Sequence, residues 1–120
     1  MSKILIVEGD APNRAHLLAV LTPEGFEVLT AEDGLSGVEL AQREQPDLVL
    51  MSMRLPGLNG CEAARRLKDH EATRHIPIIA ITAHTTPAER EQALDAGCDG
   101  YLTEPIDAHT LPYQVRLFLP

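Results

Sequence analysis

The 120-residue chain has only two cysteines, no apolar run approaching the length of a membrane span, few basic residues and no glycine-rich phosphate loop. Each shortage removes a class of function. Cys61 and Cys98 form no Cys-x-x-Cys pair and no histidine stands at zinc-finger spacing, so neither a structural zinc site nor a disulfide framework is indicated. His16, His70, His75, His84 and His109 also lack ligand spacing and read as helix and loop positions. The longest apolar runs, Ile4 to Val7 and Leu48 to Met51, are far too short to cross a bilayer, and the opening Met1-Ser2-Lys3-Ile4 leads into a strand rather than a signal peptide. A soluble, cytoplasmic protein without membrane partners is therefore expected. A formal net charge of -8 and a pI near 5.0 argue against nucleic acid, because a duplex binder needs clustered Lys and Arg to displace counterions. Arg65, Arg66 and Lys68 form the sole local basic cluster, but Glu62, Asp69 and Glu71 interleave it and mark a solvated helix face. After the first apolar run, Glu8-Gly9-Asp10-Ala11-Pro12-Asn13 matches neither glycine-rich nucleotide fingerprint, which places a small-molecule or nucleotide site last among the functional alternatives.

What is present is alternation. Five strand-like apolar runs, Lys3 to Val7, Glu27 to Thr30, Leu48 to Met51, Ile78 to Ile81 and Gly100 to Leu102, alternate with amphipathic segments at Pro12 to Leu21, Leu35 to Glu44, Cys61 to Asp69, Pro87 to Ala96 and Leu111 to Leu119. The pattern predicts one α/β domain over residues 1–120, with a parallel sheet between two helical layers. The central strands read as continuous Ile, Leu and Val, so both of their faces must be covered. Helix stripes are expected at Leu17, Leu18 and Leu21, at Ala93 and Leu94 before Gly97, and at Leu111, Val115 and Phe118. Pro12 and Pro87 suit first turns and Gly97 a helix C-terminus. Pro112 would break a helix begun at Asp107, so Thr110 is the expected N-cap, with Asp107 in a preceding turn.

In open parallel sheets, ligands sit beyond the carboxyl ends of the strands, where Glu8-Gly9-Asp10, Ser52, Met53-Arg54, Thr82-Ala83 and Glu104-Pro105 converge. Asp47 to Gly57 with Gly60, Ile81-Thr82-Ala83, and Ala96-Gly97-Cys98-Asp99-Gly100-Tyr101-Leu102 leading to Pro105 resemble the response-regulator receiver (CheY-like) family over essentially the whole chain. The resemblance implies a flavodoxin-like, doubly wound five-stranded sheet in order 2-1-3-4-5, with the first and fifth helices on one face and the other three opposite. It also implies a cis Glu104-Pro105 bond. The family carries an acidic pair after the first strand, an acceptor aspartate after the third, a Thr or Ser after the fourth, and a lysine before proline after the fifth. On this correspondence Glu8 keeps the first acidic position, Gly9 replaces the second, Ser52 replaces the acceptor, Thr82 is retained and Glu104 replaces the lysine.

These changes reinforce one another. Acyl-phosphate chemistry needs a carboxylate nucleophile and a magnesium ion with several oxygen ligands. Ser52 supplies no carboxylate, Gly9 removes one, and Asp10 is expected to point elsewhere because a one-residue shift redirects a side chain. Glu104 would oppose phosphoryl charge by about 4 kcal/mol at about 4 Å and an effective dielectric of about 20. Magnesium binding is thus expected to be weak or absent, with no other metal or cofactor. Arg54 is expected to pair with a carboxylate in the vacated pocket. Thr82 and Tyr101 resemble the family's switch pair.

The resulting expectation is a non-enzymatic signalling domain of a two-component or phosphorelay pathway, working without its own aspartyl phosphorylation as an adaptor, dimerisation element or partner-binding module. Its partner would be a histidine kinase, a phosphotransferase or an output domain. Family likeness directs that contact, or a homodimer, to the face formed by the fourth helix, fifth strand and fifth helix, with Glu89, Arg90, Asp95, Tyr101, His109, Tyr113 and Arg116 as surface candidates. The alternative is residual phosphotransfer onto Asp10 or Ser52.

Overall fold

The computed structural model describes residues 1–83 and 86–119; His84 lies outside the described residues. The elements run β1 (Lys3–Val7), α1 (Ala11–Leu21), β2 (Glu27–Ala31), α2 (Gly34–Glu44), β3 (Leu48–Ser52), α3 (Gly60–Asp69), β4 (Ile78–Thr82), α4 (Pro87–Asp95), β5 (Gly100–Thr103) and α5 (Leu111–Phe118), with one 3-10 turn at Thr22–Glu24. The sheet order is β2-β1-β3-β4-β5 and every neighbouring pair is parallel.

Strand alternation divides the apolar residues into two cores. Leu5, Val7, Val49, Met51, Ile78 and Ala80 pack against Val38 and Ala41 of α2, Ala63, Ala64 and Leu67 of α3, and Ala93 of α4. Ile4, Ile6, Leu48, Leu50, Ile79 and Ile81 face Leu17 and Leu21 of α1 and Leu111 and Val115 of α5. Both sides of β1, β3 and β4 are buried, which explains their unbroken apolar sequences. Each fully buried Leu or Ile contributes about 1.5–3 kcal/mol relative to exposure, fixing the frame from which the loops project.

Polar caps then aim those loops. Asp10 Oδ2 accepts the Asn13 amide at 3.0 Å to start α1, and Asp33 Oδ1 accepts the Ser36 amide at 2.8 Å to start α2. Asn59 and Glu62 form a reciprocal capping box at α3. At the opposite end of the sheet, Lys68 Nζ donates to the carbonyls of Arg74 and Ile76 and to Asp99 Oδ2, at 3.2, 2.8 and 3.0 Å. Gly97, at φ 101°, closes the turn after α4 beneath the Lys68 stem, where a left-handed backbone and a crowded Cβ position favour glycine.

Three local expectations change. Leu18 is 38% exposed because Leu17 and Leu21, one turn apart, already form the core stripe of α1. Leu94 is 50% exposed, since α4 meets the sheet through the small side chain of Ala93. Thr110 stands at the N-cap position of α5, but its backbone is helical and its side chain caps no amide. The preceding turn is organised by Asp107, whose Oδ1 accepts the His109 amide at 2.8 Å and whose carbonyl accepts from Thr110 and Leu111. Pro112 consequently falls in the first turn, where an amide is dispensable.

Candidate functional site

The carboxyl ends of β1, β3, β4 and β5 converge on a cleft of about 440 Å³ lined by Glu8, Gly9, Asp10, Ser52, Arg54, Thr82 and Glu104, with Pro56 at its edge. The parallel frame thus gathers the sequence-selected residues except Tyr101 and Pro105. Ser52 ends β3 opposite Ile81, while the Glu104 amide donates to the Thr82 carbonyl at 2.8 Å and ties β5 to β4. The Glu104–Pro105 bond is cis.

Ser52 is only 5% exposed, and its hydroxyl is turned back on the loop. Oγ accepts the Arg54 amide at 3.3 Å and donates to the Arg54 carbonyl at 3.2 Å. Glu8 is likewise buried, and its Oε2 accepts the Asp10 amide at 3.2 Å. Burial pushes the Glu8 carboxyl above its ordinary range; hydrogen bonds from the Asp10 and Gly9 amides oppose this, and the charges of Glu104 and Asp10 add to it. Asp10 itself is exposed and directed at the start of α1, as its position one residue beyond the strand suggested.

Magnesium requires near-octahedral oxygen coordination. Here Glu8 is the one buried carboxylate, Asp10 is engaged as a helix cap, and the Ser52 hydroxyl is neutral and closed on Arg54. Position 9 offers no side chain, and a Cβ there would lie 3.2 Å from both the Glu32 carbonyl oxygen and Pro56 Cδ. Among the described residues no group of three His, Cys, Asp or Glu could hold a metal.

The expected ion pair of Arg54 is a correction: among the described residues its guanidinium pairs with no carboxylate, because Ser52 holds the residue by its backbone amide and carbonyl and the side chain is exposed. Arg14 supplies the arginine contact instead. From α1 its Nη1 donates to the Glu8 carbonyl at 2.8 Å and its Nη2 to Glu32 Oε1 at 3.2 Å. Sequence reading missed Arg14 because only the β1–β2 pairing brings Glu32 beside the first loop.

Thr82 is 5% exposed at the end of β4. Tyr101 lies farther along the sheet, opposite Ala80, and packs on the α2–α3–α4 core with the Arg90 guanidinium 5.5 Å from its ring centroid. Such a cation–π contact adds about 0.5–1 kcal/mol at an exposed site. Of the proposed surface residues, Arg116 belongs elsewhere: it binds Glu24 Oε1 at 2.9 Å and covers Phe26 at 5.2 Å, so it faces the turn after α1 rather than α4. Glu89 is half-buried in a cleft with Arg54 and Thr82.

A family model described as the response regulator receiver domain matches residues 4–116. The chain belongs to the response regulator receiver domain family. The receiver is 41% identical over 115 residues to the response regulator PleD of Caulobacter vibrioides, covering 96% of this chain and 25% of that protein. It therefore spans about a quarter of PleD's length. It is 40% identical over 111 residues to protein PilH of Pseudomonas aeruginosa, covering 92% of each. Among solved structures, the receiver domain of a Pseudomonas aeruginosa sensor histidine kinase, which holds a magnesium ion in its active-site cleft, superposes with a TM-score of 0.91 at 35% identity, covering 98% of this chain and 96% of that one. The chemotaxis protein CheY4 of Vibrio cholerae gives 0.94 at 26% identity over 99% of both chains. This receiver is thus a signalling domain of the two-component type, and no helix among its described residues is long and apolar enough to cross a membrane.

Proposed function

We propose that this receiver works without aspartyl phosphorylation of its own, as a non-enzymatic adaptor or partner-binding module of a two-component pathway. The carrying observation is Ser52: the acceptor position holds a buried hydroxyl whose hydrogen bonds close the loop on itself. A serine ester would be stable where a reversible switch needs a labile acyl phosphate, and this hydroxyl donates to the Arg54 carbonyl rather than to an activating base. Glu104 adds negative charge where incoming phosphoryl charge would accumulate, and the carboxylate set favours weak or no magnesium binding.

The partner of such a module is a histidine kinase, phosphotransferase or output domain, met through the α4–β5–α5 surface or through a homodimer on that surface. Support comes from Tyr113, which is 66% exposed, and from the exposed Leu94. Incubation with acetyl phosphate and magnesium, followed by intact-mass measurement, tests the proposal. No added phosphate is expected. A labile adduct on Asp10, or a stable one on Ser52, would establish phosphotransfer and overturn it.

A further inference from the structure

A second cavity of about 350 Å³ adjoins the acceptor cleft between α1 and the β5–α5 loop. Its floor is apolar, made by Leu17 and Ile81, each 2% exposed, and by half-buried Ile106. Glu8 and Glu104 stand where the two cavities meet and line both. His16 also lines the cavity, with Nε2 3.3 Å from the Ile106 carbonyl oxygen; since that oxygen can only accept, this ring N–H is committed to the loop. Among the described residues no lysine or arginine contributes to the lining. The apolar floor and the acidic junction with the acceptor cleft together describe the complement of an alkyl chain ending in a positive charge.

We propose that this cavity receives a lysine side chain presented by a partner protein, with its stem on Leu17, Ile81 and Ile106 and its ammonium between Glu8 and Glu104. Lysine suits the site better than arginine. Its compact ammonium can be approached by carboxylates just beyond two different strands, whereas a guanidinium favours a single planar partner. A cation there also offsets the Glu104 charge, which adds to the burial that raises the Glu8 carboxyl. The inference deepens the adaptor function and rests on it, because the contact requires that position 104 carry no internal lysine and that no phosphoryl group occupy the adjoining cleft.

The test is an NMR titration of isotope-labelled protein, free of magnesium and phosphodonor, with Nα-acetyl-lysine-N-methylamide. The uncharged norleucine analogue and n-butylamine are titrated in parallel. Saturable amide shifts at Asn13, Leu17, Glu104 and Ile106 are expected for the lysine amide, with a dissociation constant on the order of 1 mM and about tenfold weakening in Glu104→Gln, as for loss of one charge-assisted hydrogen bond. Norleucine amide should not shift them. Glu104→Lys, whose own ammonium competes for Glu8, should abolish the response, and conserved amide dispersion in both variants reports an intact fold. Absence of saturable shifts, equal binding of the norleucine analogue, or unchanged affinity in Glu104→Gln would overturn the inference. Binding of n-butylamine without the lysine amide would overturn the partner-protein source. Acetyl phosphate labelling is read on separate samples, so failure of the lysine site and failure of the unphosphorylated function are distinguished.

Discussion

At position 8, a carboxyl is held in a place that favours its neutral form, and the consequence can be measured. Because burial raises the folded-state pKa of Glu8 above its ordinary 4.5, the folded chain binds that proton more tightly than the unfolded chain. The associated stability is complete below the ordinary value and is lost as pH rises through the raised one. Glu8→Gln should therefore be more stable than wild type near neutrality in urea denaturation, with the advantage shrinking as the pH falls through the raised value and gone below about 4.5. An advantage that persists unchanged in acid would show that charge burial is not its cause. Nearby, Ser52→Asp restores a nucleophile, but Gly9 still withholds a ligand and Glu104 still repels phosphoryl charge, so labelling by acetyl phosphate should stay undetectable. The triple variant Ser52→Asp, Gly9→Asp, Glu104→Lys should recover magnesium-dependent labelling, since these groups act as one unit. The 3.2 Å approach of a Cβ at position 9 to Pro56 and the Glu32 carbonyl adds a cost to that variant of about 1 kcal/mol in folding stability. Intact-mass and denaturation measurements on the single and triple variants separate these effects, and strong labelling of Ser52→Asp alone would show that Gly9 and Glu104 matter little.

Within the elements, helix entry and sheet closure rely on a few polar contacts. Asn59→Ala removes the Glu62 amide's partner and half of the α3 capping box, and should lower stability by about 1 kcal/mol. Lys68→Met should cost more, about 2 kcal/mol, because it withdraws one ammonium from two carbonyls and Asp99 at once. The two urea midpoints, read at equal slope, rank these contacts; equal midpoints would refute the ranking. Strand limits and sheet faces were legible because Ile, Leu and Val runs leave few choices when both faces are covered, and the proline and glycine punctuation marked most helix ends. Leu18 and Leu94 were misread because a residue next to a core stripe lies only about 100° from it on the helix. That the Thr110 hydroxyl donates to the Asp107 carbonyl at 3.4 Å instead of capping an amide depends on a backbone angle that residue type does not dictate.

For the whole molecule, the same boundary between legible and illegible falls inside the cleft. Position-by-position likeness brought Glu8, Gly9, Ser52, Thr82 and Glu104 together, as the structure does. Contacts among residues far apart in sequence, such as Arg14 with Glu32 and Arg116 with Glu24, depend on packing and left no local signal. These contacts matter to how the receiver can respond as a unit. A ligand shifts a conformational equilibrium only by its differential affinity for the two states. On the proposed function, with Ser52 closed on its own loop, Glu104 opposed to phosphoryl charge and Tyr101 covered by Arg90, magnesium and acetyl phosphate should have little differential binding with which to move the whole domain. Adding both at millimolar concentration, and then chelating the metal, should leave the melting temperature and the amide spectrum of the wild type unchanged. The triple variant should gain stability from magnesium in proportion to the logarithm of its concentration above the dissociation constant. A reversible, magnesium-dependent shift of wild-type amides in β4 and β5 would mean that the domain still switches, and that Ser52 does not hold it in one state.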